Sequence, residues 1–451
     1  MRRLFGTDGV RGIANEFLTC ELAVQIGRAL GTVLSSNHKY RPKVIIGMDT
    51  RISSEMLCSA ICAGLCSVGS DCITLGVVPT PAVAYLVKKY GAKAGVMISA
   101  SHNPYPYNGI KIFGDEGFKL SDELEEQIES IVLDNTPPVK SCASEDIGTR
   151  RDEPNALNDY IDYLRSTIST TLEGMRIAID CANGSSSVTA KKLFTSMGAE
   201  CHMLSMTPDG ININENCGST HLDQLKNYVK ENGMDAGIAF DGDADRCLAI
   251  DELGNEVDGD FIMAILSLDL KSKGLLKKDT VVGTIMTNYG FPRFCDENGL
   301  RFIAANVGDR YVLETINRDG YSFGGEQSGH IIMRDHATTG DGQLTALALL
   351  ACLKSSGKKL SDLCTVMKRY PQHMVNIKTT PAGKIAMFTD EDIKNIVNEA
   401  ENKLLGRGRL VVRPSGTEPV IRIMVEGEEI NETIALCESV AARISEKLSA
   451  Y

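Results

Sequence analysis

Three aspartates, Asp241, Asp243 and Asp245, alternate with small residues in DGDADR. In a tight loop their carboxylates can converge on one hard divalent cation, while Gly242 and Ala244 let the backbone fold beneath it. With Glu252 counted in, the spacing also matches positions 1, 3, 5 and 12 of an EF-hand loop. Against that reading, the sixth position is Arg246 instead of the glycine its turn needs, and the flanks AGIAF and CLAID read as strands, not helices. A solvated acidic turn is the other alternative, and strands on both sides argue against it by carrying the loop to a sheet edge where α/β layers bind ligands. A cation held by three carboxylates keeps a net negative charge, so an anionic substrate needs further cations. Arg246 follows the triplet directly, and Lys111 follows a serine loop. This balance suits phosphoryl transfer, in which a metal bridges the transferring group and Arg or Lys take up charge on its oxygens.

The serine loop is SASHNP, which ends the apolar run Val96-Met97-Ile98. A serine at a strand end, held by Asn and Pro turn chemistry, can carry a phosphoryl group covalently. Ser99 and Ser101 both qualify, an ordinary Asx or Ser/Thr turn being the alternative. His102 taken alone reads as a hydrogen-bonded loop histidine. In GGEQSGH, Glu326, Ser328 and His330 alternate between glycines, a set suited to sugar hydroxyls. In VRPSGTEPVIR, Arg413, Ser415, Gly416, Thr417 and Arg422 offer guanidinium, hydroxyl and backbone N–H donors to a phosphate, against the plainer reading of a hairpin loop with a stray arginine.

These loops need strands to present them. KVIIGMDTR, RIAIDCANG and TVVGTIMTN are β-rich runs that end in polar or glycine residues and lead into helical patterns, each the opening of a βα unit. Further along each third, a strand delivers one of the polar loops and a strand-turn-strand pattern follows. The simplest organisation is three copies of one α/β plan, at 1–153, 154–253 and 254–368. The polar stretch SCASEDIGTRRDEPN marks the first boundary. From 369 to 451 the pattern changes to a small α+β domain: a strand over Met374 to Thr380, a helix over Asp390 to Leu405, the strand pair RLVVRP and VIRIMVEG, and a helix over Asn431 to Ser449.

At 451 residues and 43% hydrophobic, the chain has the composition of a soluble protein of about two to four domains. The formal charge of -12 argues against a nucleic-acid partner. MRRLFGTDGVRG lacks the apolar core of about 7–15 residues that a signal peptide requires, and the apolar run from Leu344 to Leu353 is too short to span a bilayer. No membrane partner and a cytoplasmic location are expected. The 14 cysteines show no paired C-x-x-C spacing and are expected as free thiols, with Cys58, Cys62 and Cys66 forming a packing face on a helix.

In that order and over the whole chain, TDGVRG, SASHNP, DGDADR, GEQSGH and RPSGTEP resemble the α-D-phosphohexomutase superfamily. FGTDGVRG, PDGININENCGSTH and VGDRYV are similar to its bacterial amino-sugar branch. The resemblance implies three similar mixed-sheet α/β domains and a C-terminal α+β domain like half of a TATA-binding protein. It places a phosphoserine on Ser101, with Mg²⁺ held by that phosphate, Asp241, Asp243 and Asp245. Glu326 and Ser328 would grip sugar hydroxyls, with Arg246 and His330 also on the substrate, and Arg413, Ser415, Gly416, Thr417 and Arg422 would hold the phosphate that is not reacting. The implied reaction interconverts glucosamine 6-phosphate and glucosamine 1-phosphate through glucosamine 1,6-bisphosphate, supplying UDP-N-acetylglucosamine and cell-wall precursors. The bisphosphate must turn over in the site, which a mobile C-terminal clamp would permit. For proton transfer, Lys111, His102, Arg11 and His330 are the candidates, and the resemblance favours Lys111 with His102 in support.

The nearest rival is a phosphomannomutase or phosphoglucomutase of the same superfamily. Gln327 and GSTH favour the amino sugar. A non-catalytic sugar-phosphate binder would show degenerate loops, whereas the serine, the three aspartates and both arginines of the phosphate loop are present here. A homodimer is compatible with this reading.

Overall fold

Lys43 to Met48 and Ala94 to Ile98 are buried over nearly their whole length, as strands covered on both faces of a parallel sheet must be. The structure is a computed structural model that describes residues 3–6, 8–36, 41–415, 419–449 and 451. The chain divides into two compact units, Met1–Met286 with Arg301–Val366, and Thr287–Leu300 with Met367–Tyr451.

The first unit holds three sheets. The first comprises β1 (Val10–Ile13), β2 (Lys43–Met48), β3 (Asp71–Val77), β4 (Ala94–Ile98), β5 (Tyr107–Gly114) and β6 (Arg150–Asp152), in the order β1-β5-β4-β2-β3-β6. The second comprises β7 (Arg176–Asp180), β8 (Glu200–Leu204), β9 (Ala236–Phe240), β10 (Cys247–Asp251) and β11 (Glu256–Val257), in the order β11-β10-β9-β7-β8. The third comprises β12 (Thr280–Thr284), β13 (Arg301–Ala305), β14 (Phe323–Gly325) and β15 (Ile331–Met333), in the order β13-β12-β14-β15.

The plan is the same each time. An opening strand, β2, β7 or β12, lies between two parallel partners, and the later partner turns back into an antiparallel strand: β4 into β5, β9 into β10, β14 into β15. That turn is where each polar loop sits, so three different loop chemistries occupy one structural position. The stretch expected as a polar boundary carries a short exposed strand, β6, parallel to β3. Its three charged residues have no apolar alternation from which a strand could be read.

The helix Ser54–Cys66 buries Cys58 and Cys62 in the core of the first sheet, beside Ile26, Leu30 and Leu57. All fourteen cysteines are free thiols. Among the described residues, no helix is long and apolar enough to cross a membrane.

In the second unit, β16 (Gln372–Lys378), β17 (Gly408–Pro414) and β18 (Val420–Gly427) form an antiparallel sheet ordered β16-β18-β17. Helices Glu391–Leu404 and Ile430–Leu448 bury Ile393, Ile396, Val440 and Ile444 in one core with Ile421, Ile423 and Val425 of β18. A further helix, Pro381–Thr389, starts at Thr380, whose Oγ1 accepts from Gly383 N. The segment 287–300 belongs to this unit through a polar knot. Asn288 Nδ2 donates to Tyr370 O and Glu426 Oε1 at 3.0 and 3.1 Å, and Asn288 Oδ1 accepts from the Tyr370 and Gly290 amides at 3.0 Å each. Glu426 also accepts from Tyr289 N and from Arg409, and burial pushes its carboxyl above the usual range. Asn288→Ala should cost about 2–4 kcal/mol, because it strands buried backbone groups and part of a buried carboxylate; a lower urea midpoint for this unit's transition is the readout.

Candidate active site

Beyond Ile98, at the end of β4, Ser101 takes φ 52°. This left-handed conformation costs a non-glycine residue about 1–2 kcal/mol. The side chain is buried, and its Oγ donates to Asp241 Oδ2 at 2.6 Å and lies 3.4 Å from His102 Nδ1. Ser99, the other sequence candidate, is turned away: its Oγ donates to Asp49 Oδ2 at 2.6 Å and accepts the Ser101 amide at 2.9 Å. The hydroxyl of Ser101 therefore faces the aspartates, and that of Ser99 braces the loop.

The aspartate loop joins β9 to β10. Ala244 is left-handed at φ 56°, and a Cβ on Gly242 would come within 2.6 Å of Ser101 O, so the two loops touch backbone to backbone only because position 242 is glycine. Asp241, Asp243 and Asp245 are buried, each with one oxygen within 4.8 Å of the others. Asp243 Oδ2 accepts from Lys111 Nζ at 2.8 Å and Thr80 Oγ1 at 2.6 Å. Asp243 Oδ1 and Asp245 Oδ1 are buried with no hydrogen-bond partner, an expensive state for carboxylate oxygens. Burial, then Asp245 and Asp243, push the Asp241 carboxyl up to about 8. Burial would raise Asp245 as well, but Lys111 and His330 outweigh it and hold that group well below the ordinary range. Orphaned oxygens, an all-oxygen donor set and mutual repulsion together fit a hard divalent cation.

A ring of charged side chains, closed through the His330 imidazole, surrounds the triad. Lys111, fully buried on β5 opposite Met97, contacts Asp243 at 2.8 Å, Asp8 at 3.1 Å and Asp245 at 3.5 Å. Asp8 continues to Lys119 at 2.6 Å, Lys119 to Asp309 at 2.6 Å, Asp309 to His330 Nε2 at 3.6 Å, and His330 Nδ1 back to Asp245 at 3.7 Å. Burial alone would lower Lys111, but Asp243, Asp8 and Asp245 prevail and keep it protonated. His102 goes the other way, down to about 4, through burial and then Arg246 and Arg11, so its ring is neutral at neutral pH. For His330, Asp245 and Asp309 overcome burial and draw the pKa up to about 9, yet the Gly340 amide donates to Nε2 at 3.0 Å. That hydrogen bond makes Nε2 an acceptor and leaves the proton on Nδ1, toward Asp245.

Arg11, paired in register with Gly109, forms an ion pair with Asp8. Arg246 is half-buried, its Nε 4.0 Å from Asp241 and 3.9 Å from Asp245. Glu326 and Ser328 are half-buried, and Glu326 Oε1 accepts the Gly308 amide at 3.0 Å. His330, in the same loop, is buried with its ring facing Asp245 and Asp309. Gln327 anchors the loop by donating to Asp258 Oδ2 at 3.2 Å.

Sequence reasoning did not single out Asp8, Thr80, Lys119 or Asp309. Asp8 and Asp309 lie within TDGVRG and VGDRYV and could have been weighed there, but nothing local marks Thr80 or Lys119.

In the second unit, Arg413 and Arg422 stand directly opposite each other across β17 and β18. Burial and then the facing Arg422 lower the Arg413 pKa. Ser415 is buried, and its carbonyl accepts from Lys384, a third cation that sequence analysis missed. Gly416 and Thr417 lie outside the described residues.

Family descriptions match in chain order: "Phosphoglucomutase/phosphomannomutase, alpha/beta/alpha domain I" over residues 2–138, domain II over 158–254, domain III over 258–370 and the C-terminal domain over 374–443. The chain is 51% identical over 429 residues to a phosphoglucosamine mutase of Acetivibrio thermocellus, covering 95% of this chain and 96% of that one. It is 52% identical over 449 residues to a phosphoglucosamine mutase of Thermoanaerobacter sp., covering both chains fully. In fold it resembles a phosphoglucomutase/phosphomannomutase family protein of Burkholderia thailandensis, with a TM-score of 0.84 at 19% identity over 98% of this chain and 97% of the other. It also resembles Aspergillus fumigatus N-acetylphosphoglucosamine mutase, solved in complex with GlcNAc-6P and magnesium, with a TM-score of 0.68 at 16% identity over 99% and 96%. Four domain matches in order, together with half-identical relatives along the full length, mean that the chain belongs to the phosphoglucomutase/phosphomannomutase family of α-D-phosphohexomutases, in its phosphoglucosamine mutase branch.

Proposed function

We propose that this protein interconverts glucosamine 6-phosphate and glucosamine 1-phosphate in the cytoplasm, with Ser101 as the phosphoryl carrier and Mg²⁺ at Asp241, Asp243 and Asp245. The observation that carries this reading is the Ser101 hydroxyl 2.6 Å from Asp241, at a buried triad with two orphaned carboxylate oxygens. Relatives named phosphoglucosamine mutase, about half identical over the whole chain, support the amino sugar as substrate. We assign the four domains to 1–153, 154–253, 254–368 and 369–451.

In the first half-reaction the bond between Ser101 Oγ and phosphorus breaks as a bond from the sugar's free hydroxyl to phosphorus forms. The product is glucosamine 1,6-bisphosphate, which reorients and returns its 6-phosphoryl group to Ser101. Mg²⁺, when bound, neutralises charge that builds on the transferring oxygens. Lys111, protonated among three carboxylates, is assigned as the acid toward the departing serine oxygen. His102, neutral and 3.4 Å from Ser101 Oγ, supports it by accepting the proton of the incoming hydroxyl. Arg246 meets charge on the transferring group, and Glu326 and Ser328 bind sugar hydroxyls. Arg413, Ser415, Gly416, Thr417 and Arg422, with Lys384, hold the other phosphate: opposed guanidinium groups gain the most from an anion placed between them. A clamp made of backbone and guanidinium donors reads a phosphate and not its place on the sugar, so it serves both orientations of the bisphosphate.

Incubation with Mg²⁺ and glucosamine 1,6-bisphosphate should add one phosphate, mapped to Ser101 by mass spectrometry. Ser101→Ala should reduce turnover of glucosamine 6-phosphate by at least about 10³-fold without a lower melting temperature. Near wild-type turnover in that variant would end the covalent mechanism, and faster turnover of glucose or mannose phosphates by the unaltered protein would move it to the neutral-hexose branch. For the metal, Mn²⁺ titration followed by electron paramagnetic resonance should count one site per chain, weakened at least about tenfold in Asp243→Asn. Arg413→Ala should lower kcat/KM by about 10–100-fold, mostly through KM, as the loss of charge-assisted bonds to a phosphate requires.

A further inference from the structure

Beneath the Ser101 loop, Arg51 and Asp49 form a pair without exposed side-chain surface. Arg51 Nε donates to Asp49 Oδ2 at 2.8 Å, and the rest of the guanidinium is spent on main-chain carbonyls: Nη1 on Pro104 at 2.8 Å, Nη2 on Ser101 at 2.9 Å and on Asn103 at 2.8 Å. Asp49 is itself fixed by Ser99 Oγ at 2.6 Å, Ser54 Oγ at 2.8 Å and the Arg51 amide at 3.0 Å. From the second repeat, Asn214 Nδ2 reaches two of the same carbonyls, Ser101 at 2.9 Å and Asn103 at 3.1 Å. Asn214 is buried and left-handed at φ 58°, and it lies against Gly242 of the aspartate loop, where an added Cβ would fall 2.9 Å from its Nδ2. The Ser101 carbonyl is thus gripped by donors from two repeats, one of them seated on the loop that carries the aspartates.

We infer that Arg51 and Asn214 are positioning residues: by clamping the carbonyls of Ser101, Asn103 and Pro104 they hold the serine hydroxyl toward the aspartates during the part of the cycle in which it carries no phosphate. The inference rests on the reading of Ser101 as the phosphoryl carrier. While glucosamine 1,6-bisphosphate turns over, Ser101 has lost the group whose charge would anchor it to cations, yet a left-handed serine must still be in line when the second phosphoryl group arrives. A grip on carbonyls is indifferent to whether the hydroxyl is phosphorylated, which a grip on the phosphate is not. Arginine suits the task because one planar fork serves a carboxylate and three carbonyls together, which an ammonium group cannot do. Neither residue is assigned to the substrate, so both act through Ser101.

The test uses the full chain carrying Arg51→Lys, which keeps a cation beside buried Asp49, and separately Asn214→Gly, which keeps the left-handed backbone and removes the amide. Phosphorylation of Ser101 in the unaltered protein is confirmed first; its absence overturns the proposed function, and this inference with it. With phosphoserine present, each variant should turn over glucosamine 1-phosphate about 10–100-fold more slowly, the loss expected of a misaimed nucleophile, with KM unchanged within about threefold. The concentration of added glucosamine 1,6-bisphosphate for half-maximal activity should rise about tenfold, because an intermediate that is not recaptured promptly escapes. Should Arg51→Lys fail to fold, Asn214→Gly decides alone. Wild-type kcat and activator requirement in folded Asn214→Gly overturn the inference, as does a loss of activity that follows the melting temperature and leaves the activator requirement unmoved.

Discussion

Three carboxylates with oxygens within 4.8 Å of one another, taken out of water, repel strongly. At that separation and an effective dielectric constant of about 20, each charged pair costs about 3 kcal/mol. The first unit is organised around meeting that repulsion. Lys111 is buried whole on a strand to do so, and it can remain charged there only because Asp8 and two of the three aspartates surround it. The excess then passes outward through Lys119, Asp309 and His330. Asp8, Lys111 and Lys119 come from the first repeat, Asp245 from the second, Asp309 and His330 from the third, so the charge balance of the site and the association of the repeats are one interaction.

The repeated sheet plan makes this convergence possible. Each polar loop follows a buried parallel strand and precedes an antiparallel one, so its residues emerge at a strand's carboxyl end, where α/β sheets present ligand sites. Close approach then depends on small residues, as at Gly242, where the backbone touches Ser101 O. A loop that can carry charge and a loop that can carry a phosphoryl group become neighbours without either leaving its own sheet.

The second unit poses the opposite electrostatic problem. Arg413 and Arg422 are directly paired across two strands, and Lys384 stands by the same loop. Like charges in a cross-strand pair destabilise a sheet, and the core built from two helices and β18 carries that cost.

By itself the sequence determined the chemistry on offer and most of the scaffold. Asp241, Asp243 and Asp245 between two apolar strands, the serines after Ile98, and the periodic strands and helices of the C-terminal part are local patterns, legible because side-chain spacing is set by backbone geometry. What has no local pattern was left to the tertiary structure. Ser99 and Ser101 differ only in where the turn aims them, and it is contact with Asp49 or Asp241 that separates their roles. His330 sits in a sugar-like motif, yet its ring faces Asp245 because the third sheet brings it there. Asp8, Lys119, Arg51 and Asn214 look like ordinary polar residues, since the partners that define the roles of their side chains lie fifty or more residues away. The short charged strand β6 likewise owes its form to its parallel pairing with β3 rather than to a hydrophobic pattern of its own. Local propensity can present a charged side chain, but which opposite charge it meets is decided only when the sheets assemble.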